Sequence, residues 1–378
     1  MRFRPLQARL LNALGDTKVV CLAGAPRTGK TSLVQALRTD LPLAASHSFA
    51  DPATLAWATG DPADFLAALP PLAFLDEVQR APGLLPLLKG AVDRGGRFLL
   101  ATSRPLPGLA EALTWSLESF TLWPLAQAEL REVFPELIDT CFQGDLPRLG
   151  LEPLEHGELL QRILTGGYPE VQDRTAQQRE AWFHGYLGAL VQGWLGDLTD
   201  LREVHHLTRL LAAPGADPGP ARRCMDLLES LQVMAALGSG SGRYRCFNDP
   251  ALQAHLLGMV PAALATRPVL AAPLLETFAV MELIKTAPWS RSRPALSILR
   301  AGGQALVVLE NHRRDLVAIT TTGAATVQPE AFQGIRKLAG RVGARLKAGI
   351  VLHGGEELRA AGPGWWAVPF QALWAGRT

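Results

Sequence analysis

The chain has 378 residues, 48% of them apolar and 19% charged, with a formal net charge of +2. That composition excludes an intrinsically disordered chain and is enough for two or three separately cored domains. The four cysteines, Cys21, Cys141, Cys224 and Cys246, lie far apart, which argues against a zinc ribbon or a disulfide framework and fits a reducing cytoplasm.

No cleavable leader follows Met1 and no apolar run reaches bilayer-spanning length. The expectation is a soluble cytoplasmic protein without a membrane partner.

From residue 1 to about 135, short apolar runs (KVVCLAG, LAFLDE, RFLLATS, SFTLWPL) alternate with stretches of helical spacing. Such alternation predicts a parallel sheet with helices on both faces. The first run leads directly into GAPRTGKT, Gly24 to Thr31, which has the spacing G-x4-G-K-[ST] and opens the helical pattern SLVQALR.

Glycines at that spacing let backbone N–H groups wrap a β-phosphate at a helix N-terminus. A lysine there reaches the β- and γ-phosphates, and the next hydroxyl ligates Mg²⁺. The candidate nucleotide-binding set is Gly24, Arg27, Thr28, Gly29, Lys30, Thr31 and Ser32.

A phosphate loop of this kind requires a second strand ending in carboxylate, and PLAFLDEVQR supplies Asp76 and Glu77. Asp76 is expected to hold Mg²⁺ together with Thr31, and Glu77 to polarise the attacking water beside Lys30. The third core strand ends in Thr102, Ser103 and Arg104, of which Ser103 and Arg104 are candidates to sense the γ-phosphate. The absence of an N-K-x-D-like guanine reader favours ATP over GTP.

Residues 140 to 260 carry helical patterns, broken at 213 to 221 by APGADPGPA, which cannot continue a helix. RRCMDLLESLQVMAALGSGSGRYRCFND predicts a helix, a turn and a short strand, the outline of a helix with a wing. The eight histidines, including the pair His205 and His206, have no metal-ligand spacing and are assigned to structure or surface.

The last third predicts a helix over PLLETFAVMELIKTA and strands over ALSILR, QALVVLE and LVAITTT. A helix over 329 to 347 and strands over GIVLHG and WWAVPF follow. Between Lys285 and Lys347 stand eleven Lys or Arg against Glu310, Asp315 and Glu330, a local charge of +8.

In the predicted helix, Phe332, Ile335, Leu338, Val342 and Leu346 form an apolar face, and Lys337, Arg341 and Arg345 a basic stripe. That stripe is either a solvated surface or, with Arg313 and Arg314 and the neighbouring Arg291 and Arg293, a phosphate-contacting surface for DNA or RNA.

The ordered motifs GAPRTGKTSL, FLDEVQRAPGLLPLLKGAVDRGGRFLLATS, FTLWPLAQAEL, GGYPEV and LLETFAVMEL resemble those of a large family of bacterial and archaeal ATPases. In that family an AAA-type P-loop domain precedes a C-terminal domain of restriction-endonuclease-like fold. The resemblance implies a P-loop ATPase domain over 1–135, a helical and winged-helix-like connector over 136–265, and a nuclease-like α/β domain over 266–378.

The chain departs from the family pattern at three places. Ser116 of LTWSL stands where the family has an arginine able to complete the ATPase site, and Arg104 is the candidate substitute. APGADPGPA occupies much of the first winged-helix element. The family's Asp, Glu and Lys of the nuclease core correspond here to Leu306, Thr320 and Thr322.

Leucine and threonine can neither hold Mg²⁺ nor activate water for phosphodiester cleavage, and Glu276 alone would hardly hold the cation. The resemblance therefore implies an ATP- and Mg²⁺-dependent ATPase with an inactive nuclease-like domain that binds DNA through Arg313, Arg314, Lys337, Arg341 and Arg345. The alternative is a slow nucleotide-dependent switch acting on a protein partner. Further copies of the chain are candidate partners in either case.

Overall fold

A computed structural model describes residues 3–41, 45–194, 225–238, 243–259, 264, 271–301 and 304–376. It divides into two compact units, Met1–Trp123 with Leu227–Val233, and Pro124–Asp226 with Met234–Thr378.

The first unit is built on five parallel strands, β1 (Val19–Ala23), β2 (Ala45–Ser48), β3 (Leu72–Asp76), β4 (Arg97–Thr102) and β5 (Leu117–Thr121), in the order β2-β3-β4-β1-β5. The apolar runs that predicted this sheet are apolar because both faces are covered. Val20, Leu22, Phe74 and Leu99 pack with helices α1 (Leu6–Asp16) and α2 (Lys30–Asp40) on one side. Val19, Cys21, Leu75, Phe98 and Leu100 pack on the other, against the helices Pro52–Gly60, Pro62–Ala68 and Leu85–Asp93.

Strand β2 was not anticipated. It is a four-residue edge strand, ASHS, mostly half-buried, with no β-branched or alternating signature to betray it.

The second unit holds a six-stranded sheet. Strands β8 (Ala295–Ala301), β9 (Gln304–Glu310) and β10 (Leu316–Thr321) form an antiparallel meander; β10 and β11 (Leu346–His353) are parallel, as are β11 and β13 (Trp365–Pro369), and the edge strand β12 (Arg359–Gly362) is antiparallel to β13. The helix Ala272–Thr286 precedes the meander and Gln333–Val342 makes the crossover to β11, so the predicted element order over 273–370 is observed.

The predicted helix over 329 to 347 is shorter than expected. A 3₁₀ turn at Pro329–Phe332 leads into the α-helix Gln333–Val342; Gly343, at φ 57° and ψ −135°, ends it, and Leu346 already opens β11. Its apolar face does bury Phe332, Ile335 and Leu338 against the sheet, with Val342 and Leu346 partly covered.

As far as they are described, the residues of the expected connector fall in the same compact unit as the C-terminal sheet, except Leu227–Val233, which group with the first unit. Residues 225–230 are helical and precede the hairpin of β6 (Met234–Leu237) with β7 (Tyr244–Phe247). APGADPGPA, His205 and His206 lie outside the described residues.

Close approach explains the GGYPEV motif. Gly166 adopts φ 73°, and a Cβ at Gly167 would stand 2.2 Å from the Leu125 carbonyl oxygen. The Gly167 N–H donates to Asp249 Oδ2 at 2.6 Å, and the same buried carboxylate caps the helix Pro250–Leu256.

A second buried carboxylate, Glu282, accepts from the Gln127 N–H at 2.8 Å and from Lys285 Nζ at 3.2 Å. Lys285 also donates to the Leu125 carbonyl at 3.2 Å. Burial pushes the Glu282 carboxyl above its ordinary range while Lys285 draws it back. Because breaking a buried pair strands a charge, Lys285→Met is expected to destabilise the protein by about 3–5 kcal/mol in urea denaturation.

Candidate active site

The phosphate loop leaves β1 at Ala23 and enters α2 at Lys30. Arg27 and Gly29 both take positive φ, 66° and 96°; a side chain at 29 would be strained as well as in the way of a ligand. The Gly24 N–H donates to the Thr102 carbonyl at 3.1 Å, fastening the loop to the end of β4. Thr28, fully buried, donates through its hydroxyl to the Ala25 carbonyl at 2.9 Å.

Lys30 is buried, and its ammonium donates to the carbonyls of Gly24 (2.8 Å) and Ala25 (3.1 Å), inside the loop it is expected to serve. Burial lowers its pKa, and the charges of Glu77 and Asp76 raise it again. Thr31 and Ser32 are exposed in the first turn of α2, and Arg27 is exposed at the loop's tip.

The predicted metal pair is brought together: Thr31 Oγ1 donates to Asp76 Oδ2 at 2.7 Å across 45 positions of sequence. Burial raises the Asp76 pKa above its ordinary value, an effect opposed chiefly by the Thr31 hydroxyl. A hydroxyl and a buried carboxylate in contact beside a helix N-terminus are hard oxygen donors suited to Mg²⁺, and the glycine-lined loop suits a polyphosphate.

Glu77 follows in the left-handed region at φ 55°, its N–H donating to Asp76 Oδ1 at 3.0 Å. Such a conformation costs a non-glycine residue about 1–3 kcal/mol and turns the chain sharply off the strand. The Glu77 carboxylate then meets β4: Ser103 Oγ donates to Glu77 Oε2 at 2.9 Å, and Gln79 Nε2 also donates to that oxygen. Ser103 is thus brought against Glu77; the Arg104 side chain is half-buried, with burial lowering its pKa.

Two residues here, Gln79 and Arg4, escaped the sequence reading, which named Thr102 only as part of the polar end of the third strand. Gln79 and Thr102 belong to the hydrogen-bonded set around Glu77. Arg4, 8% exposed, donates to the Thr28 carbonyl at 2.7 Å and to the Trp123 carbonyl at 3.2 Å. Gln79 stands two positions beyond Glu77 and was within reach of the sequence; Arg4 has no local signal, since its partners are 24 and 119 positions away.

The predicted DNA-contacting residues fare unevenly. Lys337, Arg341 and Arg313 are exposed. Arg314 and Arg345 converge on Glu310, at 2.7 and 3.5 Å, and Arg345 Nε also donates to the Arg314 carbonyl. Arg291 pairs with Glu136 at 2.6 Å. A separate cleft of about 970 Å³ in the second unit includes Arg336, Trp365 and His353 in its lining and none of the phosphate-loop residues.

Leu306 is buried among Val308, Ala318 and Ile335, and the Thr320 hydroxyl donates to the Ala305 carbonyl at 3.0 Å. Glu276 accepts from the Tyr244 hydroxyl at 2.8 Å. No group of three His, Cys, Asp or Glu with metal-site geometry occurs among the described residues.

A family model for an AAA domain matches residues 16–131, the stretch that carries the loop, Asp76, Glu77 and Ser103. That stretch of the first unit is similar to AAA domains, the class of P-loop proteins to which the loop and the carboxylate strand point.

Among curated proteins the chain is 30% identical over 204 residues to the uncharacterized proteins Rv2008c of Mycobacterium tuberculosis and Mb2031c of Mycobacterium bovis. These matches cover 52% of this chain and 40% of each relative, so the chain spans well under half the length of the relatives it matches. Among solved structures, the Walker-type ATPase PABY2304 of Pyrococcus abyssi is 15% identical with a TM-score of 0.40, over 68% of this chain and 96% of that one. No helix among the described residues is long and apolar enough to cross a membrane.

Gly24 is the tightest point of the loop: a Cβ there would stand 2.6 Å from the Leu122 carbonyl oxygen and 3.0 Å from Thr28 Oγ1. Gly24→Ala is expected to displace the loop and weaken Mg–ATP binding about tenfold or more, checked by calorimetric titration.

Proposed function

We propose that the protein binds ATP with Mg²⁺ in the cytoplasm, hydrolyses it, and couples the nucleotide state to DNA contact through its second unit. The observation that carries turnover is the Thr31–Asp76 hydrogen bond of 2.7 Å, which joins the phosphate loop to the strand that presents Glu77. Lys30, the loop N–H groups and Ser103 would hold the phosphates, and Thr31 and Asp76 the magnesium, whose charge offsets that of the phosphate oxygens when bound.

Glu77 takes a proton from water as that water's oxygen bonds to the γ-phosphorus. The bond from the γ-phosphorus to the bridging oxygen breaks, leaving ADP and phosphate.

The second unit is read as a nuclease-like domain without cleavage activity. Supporting this are the helix, three-strand meander, crossover helix and parallel strand over 272–353, and the side chains of Leu306 and Thr320, which satisfy packing and a backbone carbonyl. Residues 1–135, 136–265 and 266–378 would then serve as motor, connector and binding surface. Lys337, Arg341 and Arg313 are the favoured phosphate contacts; Arg314 and Arg345, held by Glu310, would contribute less.

One observation favours a second reading, a slow switch acting on a protein partner: the stretch 113–117, LTWSL, has no cation where the resembled family has its arginine, and presents Trp115 97% exposed.

ATP turnover of wild type, Lys30→Ala and Glu77→Gln, with and without duplex DNA across a salt series, separates the two. Lys30→Ala is expected to abolish nucleotide binding, and Glu77→Gln to retain it while turnover falls about a hundredfold or more. DNA is expected to stimulate turnover at low salt; tight nucleotide binding with negligible turnover and no DNA response would select the switch.

In a DNA-binding titration, the Lys337→Glu and Arg341→Glu double variant is expected to weaken affinity irrespective of sequence and flatten the salt dependence by about two phosphate contacts.

A further inference from the structure

Gln79 and Thr102 lie outside the phosphate loop and close a hydrogen-bonded set around Glu77. Gln79 Nε2 donates to Glu77 Oε2 and, at 3.2 Å, to Ser103 Oγ; Ser103 Oγ donates to Glu77 Oε2 at 2.9 Å. Thr102 Oγ1 donates to Gln79 Oε1 at 2.9 Å. All four side chains sit where β3 and β4 end side by side.

The orientation of the amide is fixed by the carboxylate. A carboxylate only accepts, so the amide presents its NH₂ to Glu77 and its oxygen to Thr102; the opposite flip would press two acceptors together. The Thr102 hydroxyl accepts from the Arg104 N–H at 3.1 Å, and its one proton has two acceptors in reach, the Arg104 carbonyl at 2.6 Å and Gln79 Oε1 at 2.9 Å. Both donors to Glu77 lie on Oε2; among the described residues Oε1 has none, which leaves it as the oxygen to face a water.

We propose that Gln79 is a positioning residue for Glu77, held in turn by Thr102, and that this amide fixes which carboxylate oxygen takes the proton from water during ATP hydrolysis. The proposal rests on the ATPase reading above. In the step concerned, Oε1 accepts the proton, the water oxygen bonds to the γ-phosphorus, and the bridging P–O bond breaks to release ADP. In this proposal Gln79 acts through Glu77 alone: it removes rotation of the Glu77 carboxylate, which sits on a left-handed residue and among the described residues has side-chain donors only from Gln79 and Ser103.

The test measures kcat, KM and ATP affinity for Gln79→Leu, Thr102→Val, Thr102→Ser and the Gln79→Leu/Thr102→Val double variant. Gln79→Leu is expected to lower kcat about 30-fold with KM and ATP affinity held within about twofold, the signature of a loss confined to the transition state.

Thr102→Val, nearly isosteric on a buried strand, should lower kcat about fivefold, Thr102→Ser should restore it, and the double variant should match Gln79→Leu alone, the result that separates an effect through the amide from one through the Arg104 backbone, which the same hydroxyl also contacts. Wild-type kcat in Gln79→Leu, equal falls in kcat and ATP affinity, or losses that multiply in the double variant would each overturn the proposal while leaving the ATPase reading intact. If Gln79→Leu does not fold, a Thr102→Val variant with wild-type kcat overturns it. A wild-type protein that binds ATP without turning it over overturns both.

Discussion

The first unit is organised by one contact, the hydrogen bond between Thr31 and Asp76. Strand β4 lies between the strands that carry these two halves, so the ends of β1 and β3 are separated by two strand spacings, on the order of 10 Å. A loop that crosses that gap must leave β1, turn back on itself and begin a helix above β4. The positive φ of Arg27 and Gly29, the Gly24 N–H on the Thr102 carbonyl and the Arg4 guanidinium on the Thr28 carbonyl are the means by which it does so. The intervening strand is not a spacer: it delivers Thr102 and Ser103 to the carboxylate of Glu77.

The second unit solves a different problem. Its strongest polar constraints are two buried carboxylates: Asp249 accepts from the backbone N–H groups of Gly167, Ala251 and Leu252, and Glu282 from the Gln127 N–H and from Lys285, which also donates to the Leu125 carbonyl. By contrast Leu306 lies in a packed apolar cluster and the Thr320 hydroxyl is turned to the Ala305 carbonyl. The buried charge described in this unit ties segments together.

Much of the first unit was legible because both of its signals are local. A glycine-rich loop between an apolar strand and a helix, and a carboxylate pair ending another apolar run, each fit within ten residues of sequence. The edge strand β2 was not legible, since four half-buried residues carry no pattern. Arg4 was invisible because its partners lie 24 and 119 positions away, and the roles of Gln79 and Thr102 depend on the pairing of β3 with β4. In the second unit the apolar stripe of the crossover helix was correct, but its length was overestimated, because a glycine at 343 reads as tolerable in a helical pattern until its φ is known. The basic stripe was the least legible feature: charge counts do not reveal that Glu310 already engages Arg314 and Arg345.

Arg4 and Lys30 have a consequence for the shape of the phosphate loop. Both donate to its carbonyls, Arg4 to Thr28 and Lys30 to Gly24 and Ala25, so the loop backbone is tied to side chains that come from ahead of α1 and from the first turn of α2. The geometry of the loop therefore depends on a residue outside both the loop and the sheet, and a change at Arg4 would be felt at Thr28 without any change in the loop's own sequence.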